Sequence, residues 1–282
     1  MALFRIRRPD GAVRLAIGDA SRGPETLLPP DVTIDRILAG HGPSIERPAL
    51  EADATVPDGA KLLPPVGSQE VWAAGVTYLR SRDARVEEAI EPTPYDRVYT
   101  AERPELFSKT AGWRVRGPGQ PIAVRADSTW DVPEPELTLV LNASARIVAY
   151  TIGNDVSSRS IEGENTLYLP QAKTYDGSCA IGPAIVPAAE IGPPFTIRMT
   201  IERDGTAVYD DATSTDQMAR PFGELASYLG RSLTFPVGAF LMTGTGIVPD
   251  PPFTLEAGDV VRITVDGLGT LENVVERLQA RR

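Results

Sequence analysis

Two carboxylates set two residues apart at the head of a β-rich run constrain this chain more than any other feature. Glu134 and Glu136 lead into Leu137-Thr138-Leu139-Val140-Leu141. Strand side chains alternate faces, so both acids project to one side, roughly 6 to 7 Å apart along the strand. After Asn142-Ala143-Ser144-Ala145, a second β-rich run covers 146–152 and ends in Gly153-Asn154-Asp155. Pairing the two runs as a hairpin centred near Ala143 and Ser144 sets Asp155 opposite Val132 and diagonal to Glu134, on the same face.

Three convergent carboxylates raise one another's pKa unless a cation lies between them. All-oxygen ligation with no Cys and no nearby His selects Mg²⁺, Mn²⁺ or Ca²⁺ over zinc. Glu134, Glu136 and Asp155 are therefore the candidate metal ligands. The same residues also describe an exposed acidic strand edge with solvated charges. The spacing alone leaves both readings open.

Around this hairpin the chain reads as many short strands with few helices, and the expected fold class is mostly β (α+β). Residues 3–7 and 13–17 flank a Pro-Asp-Gly turn, and 31–38 fits one short helix. The stretch 49–65, rich in Pro, Gly and Asp, reads as a linker. Residues 1–65 are accordingly expected to form a small N-terminal module, and 66–282 the catalytic metal-binding domain. Within the latter, Asp204-Gly205 sits between 197–203 and 206–209, the preferred pair for a primed hairpin turn. Residues 218–229 carry apolar side chains at helical spacing, and 258–265 with 268–274 make a last hairpin pattern. Residues 239–242 lead into Thr243-Gly244-Thr245-Gly246, whose amides and hydroxyls suit an anion or a sugar hydroxyl, although a plain turn reads equally well.

With 282 residues the chain needs no covalent staples. A net charge of −10 argues against nucleic acid and against an anionic membrane surface, so an anionic substrate needs a metal or a local cationic patch. The single cysteine, Cys179, precludes an intrachain disulfide, fits a reducing compartment and reads as a small core residue. No apolar run approaches a membrane span and the N-terminus lacks a signal-peptide core, so the expected location is cytoplasmic. His41, the only histidine, lies in a Gly-flanked loop and reads as surface. Arg80, Arg82 and Arg85 follow the apolar strand 71–76, where substrate carboxylates are often met. For Arg82 and Arg85 a solvated helix face with Asp83 and Glu87 is an equal reading.

Several segments, in order, resemble the fumarylacetoacetate hydrolase superfamily. Glu134-Pro135-Glu136-Leu137 is similar to its Glu-x-Glu-Leu motif, and Asp155-Val156-Ser157-Ser158-Arg159 to its Asp-x-(Ser/Thr)-x-Arg segment. Gln171-Ala172-Lys173 resembles its catalytic-lysine segment, and Thr243-Gly244-Thr245 its Thr-Gly-Thr loop. The resemblance runs from about residue 70 to the C-terminus. It implies a distorted mixed β-roll with a Mg²⁺ site, assembled as a homodimer or homotetramer. The chain departs from the hydrolase pattern in one place: Gly75-Val76-Thr77-Tyr78 is followed by Leu79-Arg80-Ser81, so Ser81 stands where those hydrolases carry a histidine. Serine is no neutral-pH base without a partner, which disfavours carbon–carbon hydrolysis.

Phe107-Ser108-Lys109, Asp127 through Glu136, and Glu164-Asn165 with Leu167 through Lys173 are most similar to the 2-keto-3-deoxy-D-arabinonate/xylonate dehydratase branch. That similarity implies a small-molecule 2-keto acid substrate, converted to 2,5-dioxopentanoate. In that chemistry Lys173 removes a C3 proton, the metal stabilises the enolate, and the C4 hydroxyl departs. Glu105 is the nominee for general acid or for relaying a water. Thr245 and Arg80 or Ser81 are nominated for the substrate's carboxylate and hydroxyls. An acylpyruvate hydrolase or an oxaloacetate decarboxylase of the same fold is the alternative.

Overall fold

In the computed structural model the described residues are 1–45, 54–80 and 95–280. Strands dominate them. In chain order these are β1 (Ala2–Arg7), β2 (Val13–Asp19), β3 (Gly23–Leu27), β4 (Ala54–Thr55), β5 (Lys61–Leu63), β6 (Glu70–Gly75), β7 (Glu105–Ala111), β8 (Ile122–Val124), β9 (Asp131–Val132), β10 (Pro135–Leu141), β11 (Ile147–Asp155), β12 (Ser157–Ser158), β13 (Cys179–Pro187), β14 (Thr196–Arg203), β15 (Thr206–Ser214), β16 (Ala239–Met242), β17 (Val260–Val265) and β18 (Gly269–Arg277). The α-helices are short: α1 (Ile34–Leu38), α2 (Tyr95–Thr100), α3 (Arg159–Glu164), α4 (Leu169–Lys173) and α5 (Phe222–Gly230). None of these helices is long and apolar enough to cross a membrane. The fold class is mostly β, as the strand patterns predict.

The largest sheet runs β4-β3-β2-β1-β13-β11-β10-β16-β6-β7, with β5 also paired to β1. A second sheet runs β15-β14-β17-β18-β8, and β9 pairs with β12. Most neighbours are antiparallel, but β16 with β6 and β18 with β8 are parallel, so the sheets are mixed. Leu137, Leu139 and Leu141 of β10 face one core, closed by Ile197, Met199, Ile201, Val261 and Ile263 of the second sheet. Val140 points the other way, into a core shared with Phe240, Met242 and the α1 residues Ile34, Ile37 and Leu38. Coverage on both faces explains why β10, β11 and β13 are buried nearly throughout. By contrast, β17 and β18 alternate buried and wet positions. Each buried leucine contributes about 2 kcal/mol relative to exposure. Helices of five to nine residues are too short to persist alone, so the sheets hold the framework.

The strands expected in a front module extend the same large sheet. Leu3 of β1 lies opposite Ile185 of β13, and β5 pairs back onto β1. The Asp204-Gly205 hairpin forms as its sequence requires, with both residues at positive φ (51° and 76°).

The central hairpin differs from the expected register. The Asn142 amide donates to the Arg146 carbonyl at 3.0 Å, which closes a three-residue loop with Ala145 at φ 55°. The ladder slips once more between Val140 and Leu141. Together these shifts move Asp155 from Val132 to Glu134, whose carbonyl accepts the Asp155 amide at 2.9 Å. Each one-residue slip alone would turn Asp155 to the opposite face, but two restore it. Asp155 is thus beside Glu134, not diagonal to it.

Candidate active site

The three acids meet where β10 and β11 leave the large sheet. Glu134, Glu136 and Asp155 are all buried, and one oxygen from each lies within 4.8 Å of the others. Two oxygens on opposite sides of a Mg²⁺ ion stand about 4.2 Å apart, so a hard divalent cation fits this donor set. The exposed-edge reading does not hold, since every member is at most 4% exposed. Burial and the Asp155 and Glu134 charges push the Glu136 carboxyl well above the ordinary range. The backbone contributes one opposing contact. β16 ends at Met242, and Gly244 at φ 90° turns its amide onto Glu136 Oε2 at 2.6 Å. A β-carbon at Gly244 would lie 2.0 Å from Thr77 Oγ1, which itself donates to the Thr243 carbonyl.

Lys173 enters from α4, a helix opened by Pro170 in its first turn. Its Nζ is 2.8 Å from Glu134 Oε2, 3.1 Å from Asp155 Oδ2 and 2.6 Å from Ser157 Oγ. The ammonium also lies 5.7 Å from the centre of the Phe107 ring. Arg159, the first residue of α3, reaches Glu134 Oε1 with Nη2 at 2.9 Å. The Ser158 side chain caps that helix by accepting from the Ile161 amide. Lys109 of β7 is wholly buried and approaches Asp155 Oδ1 at 2.5 Å.

A narrow cleft opens onto this cluster, and Glu105, Phe107, Glu134, Asp155, Arg159, Glu162, Lys173 and Thr245 are among its lining residues. Of the residues nominated from sequence, the structure brings together Glu134, Glu136, Asp155, Lys173, Glu105 and Thr245. Glu105 opens β7, with its carboxylate against the Cα of Gly75. Thr245 Oγ1 is engaged within its own loop, accepting from the Ile247 amide at 3.1 Å. Arg80 is not brought in: it forms an ion pair with Asp250 and does not line the cleft. Ser81, Arg82 and Arg85 lie outside the described residues. His41 sits exposed in the loop after α1. Cys179 is a buried member of β13, with its thiol pushed up to about 12 by burial, as fits a core residue.

Sequence reasoning gave no role to Arg159, Lys109, Ser157 or Glu162. For Arg159 a signal existed, since it closes the Asp-x-Ser-x-Arg segment four residues after a metal-ligand candidate. For Glu162 the signal was its position one helical turn beyond Arg159.

Residues 70–276 match the family model described as fumarylacetoacetate (FAA) hydrolase C-terminal. A probable 2-keto-3-deoxyxylonate dehydratase from Haloferax volcanii is 52% identical over 240 residues, covering 82% of this chain and 83% of that protein. A 2-dehydro-3-deoxy-D-arabinonate dehydratase from Saccharolobus solfataricus is 41% identical over 223 residues, covering 77% and 75%. The structure of a 2-keto-3-deoxy-D-arabinonate dehydratase complexed with magnesium and 2,5-dioxopentanoate superposes with a TM-score of 0.86 at 34% identity, covering 99% of this chain and all of that one.

Proposed function

Because the chain belongs to the fumarylacetoacetate (FAA) hydrolase family, we propose that it is a Mg²⁺-dependent dehydratase of 2-keto-3-deoxy sugar acids. Its substrate in this reading is a 2-keto-3-deoxy-pentonate and its product 2,5-dioxopentanoate. One observation carries the reading: Lys173 lines one narrow cleft together with Glu134 and Asp155, two members of the buried three-carboxylate cage.

Glu134, Glu136 and Asp155 would hold the cation. When bound, it supplies positive charge that stabilises the anion formed on the keto acid. Lys173 acts as the neutral amine, its ammonium proton given up beforehand: Nζ takes the C3 proton and becomes ammonium, and the neighbouring Glu134, Asp155 and Ser157 fix where that proton is received. Glu105, across the cleft, delivers a proton to the C4 hydroxyl as the C4–O bond breaks, and water leaves. Elimination across C3 and C4 leaves a double bond there. Transfer of a proton from C5 to C3, followed by ketonisation of the resulting enol, gives the C5 aldehyde. Arg159 offers the cationic fork for the substrate carboxylate that was expected of Arg80. Thr245 serves the hydroxyls.

The test is turnover of the purified protein with Mg²⁺ and each of three substrate classes, followed by an aldehyde-specific assay. The expected result is 2,5-dioxopentanoate from a 2-keto-3-deoxy-pentonate. Turnover of acylpyruvates or oxaloacetate, with no semialdehyde from the sugar acid, would sink the dehydratase reading.

A further inference from the structure

Two lysines stand beside the carboxylate cage, Lys173 lining the cleft and Lys109 behind it, and their positions assign them different work. Lys109 is 0% exposed and is not among the cleft-lining residues. Its ammonium donates to two backbone carbonyls and forms an ion pair with a third group, the Asp155 carboxylate. Nζ lies 2.5 Å from Asp155 Oδ1 and 3.2 Å from the Val156 carbonyl, and it also donates to the carbonyl of Lys173. These acceptors come from two separate elements: the end of β11 with the residue after it, and the last turn of α4. Lys109 itself stands on a third, β7.

We propose that Lys109 is a positioning residue that sets the geometry between the cage and Lys173. This rests on the proposed reading of Asp155 as a metal ligand and Lys173 as the base. By pairing with Asp155 Oδ1, Lys109 leaves Oδ2, 3.1 Å from Lys173 Nζ, as the oxygen that would be offered to a cation. By holding the Lys173 carbonyl, it fixes the point from which that side chain reaches Glu134 and Ser157. The Ser178 hydroxyl donates to the same carbonyl at 3.0 Å, so the turn is tied down from two sides. The contacts of Lys109 with Asp155 and with α4 pass through a single atom, so they cannot vary independently.

A group that supplied only folding stability would lose metal affinity and activity together when removed. The assigned role separates them. Replacing Lys109 with an apolar side chain of similar length removes a positive charge beside the cage and frees Asp155 Oδ1. Both changes favour a dication. The alignment of Lys173 is lost at the same time.

The experiment compares wild type with Lys109→Met. Mg²⁺ affinity is measured by calorimetry without substrate, and kcat at saturating Mg²⁺. The expected result is Mg²⁺ affinity equal to or tighter than wild type, with kcat lowered about 10- to 100-fold, as for a displaced catalytic group. A kcat within threefold of wild type overturns the proposal. So does Mg²⁺ affinity weakened tenfold or more in folded protein. If the Met variant does not fold, Lys109→Gln carries the same two readouts. Should the wild type prove inactive on sugar acids, the dehydratase reading fails by itself, and the calorimetric comparison still tests Lys109.

Discussion

Asp155 stands directly beside Glu134 across the central hairpin, its amide donating to the Glu134 carbonyl at 2.9 Å. That one pairing brings two acids from strands of opposite direction to a common point, and the alternation of β10 adds Glu136. The cost of gathering three carboxylates in a buried place falls most visibly on Glu136, whose carboxyl is raised by burial and by its two neighbours.

Glu136→Gln removes that cost. Without Mg²⁺ the variant is expected to unfold at the same temperature as wild type or higher. With excess Mg²⁺, wild type is expected to gain a few degrees, since a ligand at a hundredfold over its Kd stabilises by about 2.7 kcal/mol. The variant is expected to gain nothing. Thermal unfolding with and without Mg²⁺ checks both halves.

Gly244 carries the amide that holds Glu136, in a conformation that side chains rarely adopt. Gly244→Ala is expected to destabilise the protein by about 1 to 3 kcal/mol, because a strained backbone position is combined with a clash on Thr77. Chemical denaturation measures the loss. Weaker Mg²⁺ binding should accompany it.

Asp131 lies outside the cleft and supplies a pH dependence of its own. It is fully buried in β9, and burial outweighs the Ser128 hydroxyl and the Arg277 and Arg125 charges, pushing its carboxyl up to about 6. An acid with a raised pKa favours folding while both states are protonated, below about pH 4. That contribution is lost as pH rises from about 4 to 6, because the unfolded chain ionises first. A shift of about 2 units corresponds to about 3 kcal/mol at most. Asp131→Asn is therefore expected to match wild type near pH 4 and to exceed it in stability at pH 7. Denaturation midpoints at the two pH values show whether the gap opens in that direction.

Much of this was legible in the sequence, for a physical reason. The period of a strand is two, so Glu134 and Glu136 had to share a face, and any hairpin with an even shift had to return Asp155 to it. The register itself was not legible. The loop takes its left-handed residue at Ala145, with no Gly or Asn to announce it, and the bulge near Val148 has no marker either. Arg80 shows a different limit. It sits near the site in sequence, but Asp250, 170 residues away, draws it into an ion pair. Lys109 was read only as part of a run, because its acceptors belong to β11 and α4 and no local pattern connects them. The pairing of Leu3 with Ile185, which joins the front strands to β13, is likewise visible only in three dimensions.

Lys173→Ala is expected to lower turnover about 10²- to 10⁴-fold, the range for loss of a general base, while leaving Mg²⁺ binding intact. Steady-state rates alongside calorimetry separate this from loss of the cage.

The most direct measurement is exchange of C3 protons for deuterium in a 2-keto acid that lacks the C4 hydroxyl, followed by proton NMR in D₂O. Such a molecule cannot eliminate water, so only the first proton transfer is seen. Exchange is predicted to require Mg²⁺, to vanish in Lys173→Ala and to persist in Glu105→Gln. Exchange that continues in Lys173→Ala, or that proceeds at the full rate after the metal is stripped, would contradict the account.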